Sequence, residues 1–334
     1  MSTSSTIKGP GIAVAQYISD EAPFNTLEGI VQWAAKLGYK GLQIPVDERM
    51  IDIQRAAESQ DYCDSILAIF QSQGVQLTEL ASHLQGQLVA VHPAYDALCD
   101  TLAPPHVRGS PRARTEWARL VLLQCAAASK RLGLKAHATF SGSLAWPYVH
   151  PWPQRPADLV ETAFAELGDR WNPILDAFDQ ADVDVCFELH PTEDLHDGVS
   201  FDRFLTTVDF HPRACILYDP SHGILQCLDY LAFIDIYHER IKSVHMEDAE
   251  LVPDGRQGGI WWVDFKAIVT RLTRYGFDGW LNLENECPFR DPLVCAAEGK
   301  AFLDKCMIPP ALRAFDDYAG GEVDQHALEK MMGL

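Results

Sequence analysis

Residues 183–219 read VDVCFELHPTEDLHDGVSFDRFLTTVDFHPRACILYD, with two short apolar runs, VDVCFEL and ACILYD, on either side of a helical pattern over residues 200–208. A strand, a helix and a second strand in this order predict a βαβ unit with parallel strands and a right-handed crossover. A carboxylate stands at or next to the end of each run, Glu188 in the first and Asp219 in the second. The unit therefore predicts two acids at the carboxyl ends of neighbouring parallel strands.

The same alternation of helix and strand runs along the rest of the chain. It produces eight apolar runs, which are GIAVAQYI (11–18), GLQI (41–44), VQLTEL (75–80), KAHATF (135–140), VDVCFEL (183–189), ACILYD (214–219), IKSVH (241–245) and GWLNLE (279–284). Eight strands separated by helices predict an α/β fold, the (β/α)8 TIM barrel. A doubly wound open sheet with a second domain is the alternative, but no glycine-rich phosphate loop of the GxGxxG or GxxxxGK[ST] type favours it.

Local signals place some helix ends and the parts of the chain that leave the barrel. Residues 25–28 predict a capping box at the start of the first helix, and Pro173 predicts a kink in a helix over residues 157–181. The proline-rich segments 84–109 and 141–156 predict two excursions over the rim. We expect one barrel domain over residues 1–308 and a tail with a short helix over residues 309–334, for packing on a neighbouring subunit.

Composition excludes several classes of function. The 334 residues carry a formal charge of -20, which opposes binding to the phosphates of nucleic acids. The sequence contains no run of about 18 apolar residues, so no membrane span is predicted. The first residues also lack the pattern of a secretion signal. The nine cysteines form no CxxC pair, which is typical of reduced thiols. We expect a soluble, cytoplasmic protein with no nucleic-acid or membrane partner.

Four residues of metal-ligand type stand at the ends of predicted strands five to eight: Glu188, Asp219, His245 and Glu284. Three carboxylates and one imidazole suit Mn²⁺ best, with Mg²⁺ or Co²⁺ as alternatives, because a structural zinc site more often contains cysteines. The ends of consecutive barrel strands lie on one rim, where barrel enzymes carry their active sites. The set therefore predicts a divalent-metal centre for proton transfer beside the keto group of a sugar.

The strings FELHP, DPSH, VHMEDAE and FDGWLNLENE, in this order, resemble the xylose-isomerase-like TIM-barrel superfamily of sugar phosphate isomerases and epimerases, which also contains barrels like AP endonuclease 2. The resemblance extends from residue 11 to about residue 308. It implies that Glu188, Asp219, His245 and Glu284 hold the metal and that Glu188 and Glu284 exchange protons with opposite faces of the substrate. It also implies that His222 contacts the substrate and takes part in catalysis.

Further candidates for substrate contact are weaker. His190 lies two residues after Glu188 on the same side of an extended chain, and His83 ends strand three. Trp146 and Arg155 predict a sugar-stacking wall in the excursion after strand four, although packing of a proline-rich loop explains them equally well. Glu286 and Asp248 have similar positions beside Glu284 and His245, as substrate contacts or as partners of the ligands.

The leading function predicted is a metal-dependent sugar isomerase or epimerase. The alternative is a lyase-type deglycosidase subunit, similar to the large (alpha) subunits of C-glycoside deglycosidases, which cleave 3-oxo-glycosides by elimination and work with a small second subunit. The loop after strand seven, GRQGG, leads directly into IWWVDF, and such a short loop predicts an open rim with Trp261 and Trp262 available to a bulky substrate or a partner. Both the isomerase or epimerase and the deglycosidase subunit would act on a small carbohydrate, and for both we expect an oligomer.

Two other functions are disfavoured. An apurinic endonuclease would carry more histidines, including an Asp-x-His pair after strand seven, and that pair is missing from this sequence. A non-enzymatic binding protein built on the barrel would not need four ligand-type residues at the strand ends.

Overall fold

The computed structural model describes residues 7–150, 152, 154–249 and 263–308, together with 326, 329–330 and 332–333. The short loop after strand seven, with Trp261 and Trp262, lies outside these residues, as does most of the predicted tail over 309–334. The division into a barrel and a tail, and the open rim, therefore stay predictions.

The strands form a closed parallel barrel in which each strand pairs with the next in sequence and the last pairs with the first. Their bounds are β1 Lys8–Ala13, β2 Gly41–Pro45, β3 Gln76–Ala81, β4 Ala136–Thr139, β5 Asp184–Glu188, β6 Ala214–Tyr218, β7 Ile241–Met246 and β8 Trp280–Leu283. The predicted (β/α)8 barrel is confirmed, and the open doubly wound sheet is excluded because β1 closes on β8.

Helices cover the outside of the barrel and fill part of its rim. Their bounds are α1 Leu27–Leu37, α2 Ile53–Glu58, α3 Gln60–Ser72, α4 His83–Gln87, α5 Asp96–Cys99, α6 Pro111–Arg131, α7 Leu159–Ala181, α8 Gly198–Thr207, α9 Pro220–Leu225, α10 Tyr230–Tyr237, α11 Phe265–Arg274 and α12 Pro292–Cys306. In the part of the chain that the structure describes, no helix is both long enough and apolar enough to cross a membrane.

Some strand and helix boundaries predicted from local sequence patterns differ from those in the structure. The first strand ends at Ala13 and not at Ile18, because Ala15–Tyr17 form a 3₁₀ turn over the barrel mouth. The cap of α1 is Thr26, whose hydroxyl accepts from the Gly29 N–H at 3.2 Å, so the cap lies one residue after the predicted one, and Gly29 has no side chain to complete a capping box. Helix α7 includes Pro173 within its span, and the predicted kink there stays a prediction.

The barrel interior has an apolar side and a polar side. Small apolar side chains from β3 to β6 form one cluster in the barrel, namely Ala81, Ala138, Cys186, Cys215 and Leu217. Branched residues usually fill a barrel interior, yet four buried polar residues from β2, β3, β7 and β8 bond to one another here: Gln43, Glu79, Ser243 and Asn282. The interior therefore contains a hydrogen-bonded network, which lies next to His245.

The excursion after β3 is pinned by one buried cation. Arg114 of α6 is 1% exposed, and its guanidinium donates to Asp96 Oδ1 at 2.5 Å and to Asp100 Oδ1 at 2.6 Å. A third bond, at 3.0 Å, goes to the Asp96 carbonyl. Arg114 thus ties α5 and the turn after it to the barrel wall.

Arg114→Met is expected to lower the free energy of unfolding by about 2 kcal/mol, because it removes the hydrogen bonds that a buried guanidinium donates to two carboxylates. Arg119→Met is the matched control on the same helix, since its pair with Glu116 is exposed (34% and 54%) and should contribute less than about 1 kcal/mol. Urea denaturation of both variants measures the difference. Equal, small losses would mean that Arg114 does not hold the excursion.

Candidate metal and substrate site

The four ligand-type residues meet at the C-terminal mouth of the barrel. Glu188 is the last residue of β5, Asp219 and Glu284 directly follow β6 and β8, and His245 lies near the end of β7. One ligand atom from each lies within 4.8 Å of all the others. Three of the four are buried and Glu284 is only slightly exposed, so the barrel holds this ligand set away from bulk water.

The ligand atoms of this set face one another across a common centre. His245 Nδ1 contacts Glu284 Oε2 and lies 3.4 Å from Glu188 Oε1 and 4.0 Å from Asp219 Oδ2. Both His245 Nδ1 and Asp219 Oδ2 are buried and lack a hydrogen bond of acceptable geometry. Two buried ligand atoms thus have no hydrogen-bond partner, in a set of three carboxylates and one imidazole around a common centre. Such a set fits a divalent cation.

The pKa shifts of these side chains also indicate a site that favours positive charge. Burial, together with the nearby Glu188 and Glu284, raises the pKa of Asp219 to about 7, although His222 and His245 act in the opposite direction. Burial would lower the pKa of His245, but the carboxylates of Glu284 and Glu188 outweigh it and raise that pKa well above its ordinary value. In both groups the negative charge of neighbouring carboxylates contributes to the shift, and a divalent cation would offset that charge.

Glu188 is surrounded by imidazoles. Its Oε2 lies 3.1 Å from His83 Nε2, and its Oε1 lies 3.3 Å from His222 Nε2. Burial opposes the charge on Glu188, but His245, His222 and His83 outweigh it and hold its pKa well below the ordinary value. Burial likewise opposes the charge on His222, yet Asp219 and Glu188 raise its pKa to about 9. Glu188 is therefore ionised at neutral pH.

A cavity of about 390 Å³ opens above this cluster. It contains the two glutamates Glu188 and Glu284 and the three histidines that the sequence nominated for substrate contact, His83, His190 and His222. The rings of His190 and His222 stack edge to face at 4.2 Å between centroids. Glu286 and Phe140 line the same cavity. The structure therefore brings together most of the predicted site residues.

Trp146 and Arg155 lie elsewhere. Both line a separate cavity with Asp194 and His196, and Arg155 donates to the carbonyl of Tyr148 at 2.7 Å. Trp146 is held through its backbone N–H, which donates to Asp194 Oδ1 at 3.0 Å. The structure does not bring these two side chains to the cavity of Glu188 and Glu284, and their contact with substrate stays a prediction.

Sequence reasoning singled out Asp248 but missed Glu247. Glu247 lies two residues after His245 on the same side of an extended chain, a spacing that could have identified it. It accepts from Ser221 Oγ at 3.2 Å and from the Glu286 N–H at 3.0 Å, and it lies within ligand distance of Asp219 and His222. Burial, with Asp219 and Glu284, raises its pKa to about 9. Asp248 instead accepts from the Val263 N–H at 3.0 Å in the following loop.

Two glutamines from the first half of the barrel also contact the ligands. Gln16, in the 3₁₀ turn after β1, donates to Glu284 Oε1 at 2.5 Å. Gln43 of β2 places both atoms of its amide near His245 Nε2, with Nε2 at 2.9 Å and Oε1 at 3.2 Å. Their sequence signal is a single polar residue inside an apolar run. That signal is weak, since polar residues in such runs are common.

The fold and the site define a (β/α)8 barrel with a histidine-rich, acidic pocket at its C-terminal rim, the rim at which barrel enzymes carry their active sites. Residues 31–306 match the family model described as "Xylose isomerase-like TIM barrel". The chain belongs to this family, which confirms the resemblance found in the sequence motifs.

The alignments to curated relatives cover a shorter part of the chain than the family model does. Inosose dehydratase of Lacticaseibacillus casei is 27% identical over 173 residues, which cover 46% of this chain and 55% of that protein. The chain thus spans about half the length of the curated relatives it matches.

Two solved structures illustrate the shared fold. The probable 3-DHS dehydratase of Bacillus anthracis superposes with a TM-score of 0.62 at 14% identity, covering 89% of this chain and 99% of that one. The 3-keto-D-glucoside 4-epimerase of E. coli superposes with a TM-score of 0.61 at 13% identity, covering 89% and 98%. At these identities the likeness concerns the fold alone.

Proposed function

We propose that this protein is a divalent-metal-dependent enzyme that moves a proton at the carbon beside a keto group of a small carbohydrate, and that epimerisation or isomerisation is the outcome. One observation carries the proposal: Glu188 and Glu284, from β5 and β8, line one cavity and share one cluster of buried donor atoms. Two carboxylates placed in this way can serve the two faces of a bound sugar.

Glu188, Asp219, His245 and Glu284 would hold the cation, with Mn²⁺ as the metal best suited to the set and Mg²⁺ or Co²⁺ as alternatives. When bound, such an ion acts as a Lewis acid that stabilises the negative charge that develops beside a carbon losing its proton. The buried, unsatisfied Asp219 Oδ2 and His245 Nδ1 support this assignment.

The chain's own side chains carry the proton. Glu188 is the stronger candidate for the base, because neighbouring imidazoles keep it ionised. Gln16 holds one oxygen of Glu284, which leaves that carboxylate oriented toward the cavity. In an epimerisation one glutamate removes the proton from one face of the sugar and the other returns it to the opposite face. His222 lines the cavity and donates a hydrogen bond to a substrate oxygen.

Elimination is the second candidate, favoured by the relative that is a dehydratase of an inosose. The same deprotonation beside a ketone would then expel a substituent from the adjacent carbon. His83 and His190 line the cavity with Glu188 and could protonate the leaving group. Under this reading, the substrate extends to 3-oxo-glycosides, and a small second subunit completes the enzyme as in C-glycoside deglycosidases.

The test incubates the Mn²⁺-loaded protein in deuterium oxide with free keto sugars, inososes and 3-oxo-glycosides, followed by NMR and mass spectrometry. Deuterium at the carbon beside the carbonyl with an intact skeleton supports epimerisation, while release of water or an aglycone supports elimination. The variant Glu284→Gln, compared at equal occupancy of Mn²⁺, is expected to keep exchange from one epimer and to lose interconversion. Neither exchange nor release with any substrate in the panel would overturn the proposal.

A further inference from the structure

We infer that Glu79, acting through Gln43, fixes the tautomer and orientation of His245, so that the polar network inside the barrel is a working part of the metal centre. The inference rests on the proposed function, because it concerns how the imidazole is presented to the cation. Glu79 lies inside the barrel on β3, is 2% exposed, and does not line the substrate cavity. It is a positioning residue.

Glu79 gathers donors from three other strands onto a single oxygen. Its Oε1 accepts from Ser243 Oγ at 2.7 Å, from Asn282 Nδ2 at 3.0 Å and from Gln43 Nε2 at 3.1 Å. Oε1 is an acceptor whether the acid is ionised or not, so the NH₂ group of Gln43 is directed to Glu79. Placing a carboxyl group inside a barrel is costly unless it is hydrogen-bonded, and the bonds to Oε1 offset part of this cost, while Oε2 is buried without a partner among the described residues.

The direction of the Gln43 amide then matters to His245. A cation held by Nδ1 leaves the hydrogen of the neutral ring on Nε2, which needs an acceptor. Both atoms of the Gln43 amide lie close to His245 Nε2, the NH₂ nitrogen at 2.9 Å and Oε1 at 3.2 Å. Because the NH₂ group also donates to Glu79 Oε1, Oε1 is the amide atom left to accept from the ring N–H when a cation occupies Nδ1. A reversed amide would place its oxygen against Glu79 Oε1 and would leave Glu79 with only Ser243 and Asn282 as donors. Glu79 therefore favours the ring state in which Nδ1 has its lone pair free.

This arrangement adds one residue to the hydrogen bonding that usually supports a metal-binding histidine. Metal-binding histidines commonly donate their second ring N–H to a carboxylate or carbonyl, which fixes the ring and raises its basicity. Here an amide stands between the imidazole and the carboxylate, and the carboxylate sets the direction of the amide.

The test measures Mn²⁺ affinity by calorimetric titration in the wild type, Gln43→Leu and Glu79→Gln. Gln43→Leu keeps the volume and removes the acceptor of Nε2–H, so we expect Mn²⁺ to bind roughly 10- to 100-fold more weakly. Glu79→Gln keeps an acceptor oxygen but allows Gln43 to reverse, so an intermediate loss is expected. Thr78→Val on the same strand is the control, since the Thr78 hydroxyl is buried without a partner among the described residues; its affinity should match the wild type.

A second readout observes the ring itself. In ¹⁵N-histidine-labelled, Mg²⁺-loaded protein, the NMR signals missing from His245→Ala identify His245, and the wild type should show Nε2 protonated and Nδ1 not. Gln43→Leu should shift or broaden these signals. Unchanged affinity and unchanged ring signals in both variants, whatever their thermal stability, would overturn the inference and leave the network purely structural. A wild type that binds no divalent cation would instead refute the proposed metal centre, which separates the two failures.

Discussion

Replacing Glu188 by glutamine is expected to lower kcat by about 10²- to 10⁴-fold, the range for removing a general base. Glutamine keeps the size of the side chain but cannot accept a proton at neutral pH, and it loses the charge that draws in His83, His222 and His245. Initial rates on the most active substrate from the keto-sugar panel, at saturating Mn²⁺ and with the bound metal quantified, provide the measurement.

Asp184→Asn is the matched control for this variant. Asp184 begins the same strand at the opposite end of the barrel, where it pairs with Arg213 at 3.1 Å. It should leave kcat within about twofold, because surface substitutions far from a site change little. If Glu188→Gln retained its metal and most of its kcat, Glu188 would not be the base.

Removing the metal is expected to have the second large effect. Dialysis against a chelator should lower activity by about 10³-fold, since a Lewis acid contributes several kcal/mol and each 1.4 kcal/mol is a tenfold rate. Added Mn²⁺ should restore the activity. At a hundredfold excess over its Kd, Mn²⁺ should stabilise the folded protein by about 2.7 kcal/mol, a rise in Tm of about 4 °C.

His245→Ala separates binding at this centre from binding elsewhere. It removes a buried ligand atom, so both the Mn²⁺-dependent rise in Tm and the recovery of activity should disappear. The control is His211→Ala, because His211 follows α8 and lies 3.5 Å from Asp176 of α7, outside the cluster. An Mn²⁺-dependent rise in Tm that survives in His245→Ala would place the cation at another site.

The barrel and the gathering of four ligand-type residues were predictable because both depend on short-range patterns. Alternating helix and strand fixes the (β/α)8 topology, and a polar residue directly after an apolar run is placed on the rim by that topology alone. Asp219 and Glu284 follow their strands by one position, so errors of a residue or two in strand ends do not move them from the mouth.

The supporting residues could not be predicted in the same way. Gln43 and Glu79 lie in apolar runs, and nothing in GLQI or VQLTEL shows that they meet Ser243 and Asn282 from the other side of the barrel. Gln16 reaches Glu284 only because β1 ends early and the chain turns over the mouth. Such contacts depend on the register and closure of the barrel, which no local pattern encodes.

The split origin of this centre has a consequence for assembly. The proposed ligands come from β5 to β8, whereas Gln16, Gln43 and Glu79 come from β1 to β3. A half-barrel containing residues 184–284 would carry every ligand but none of these supports. If these supports tighten the proposed metal centre, tight cation binding would report that the two halves have joined, and in refolding or in fragment complementation the metal would serve as a sensor of ring closure.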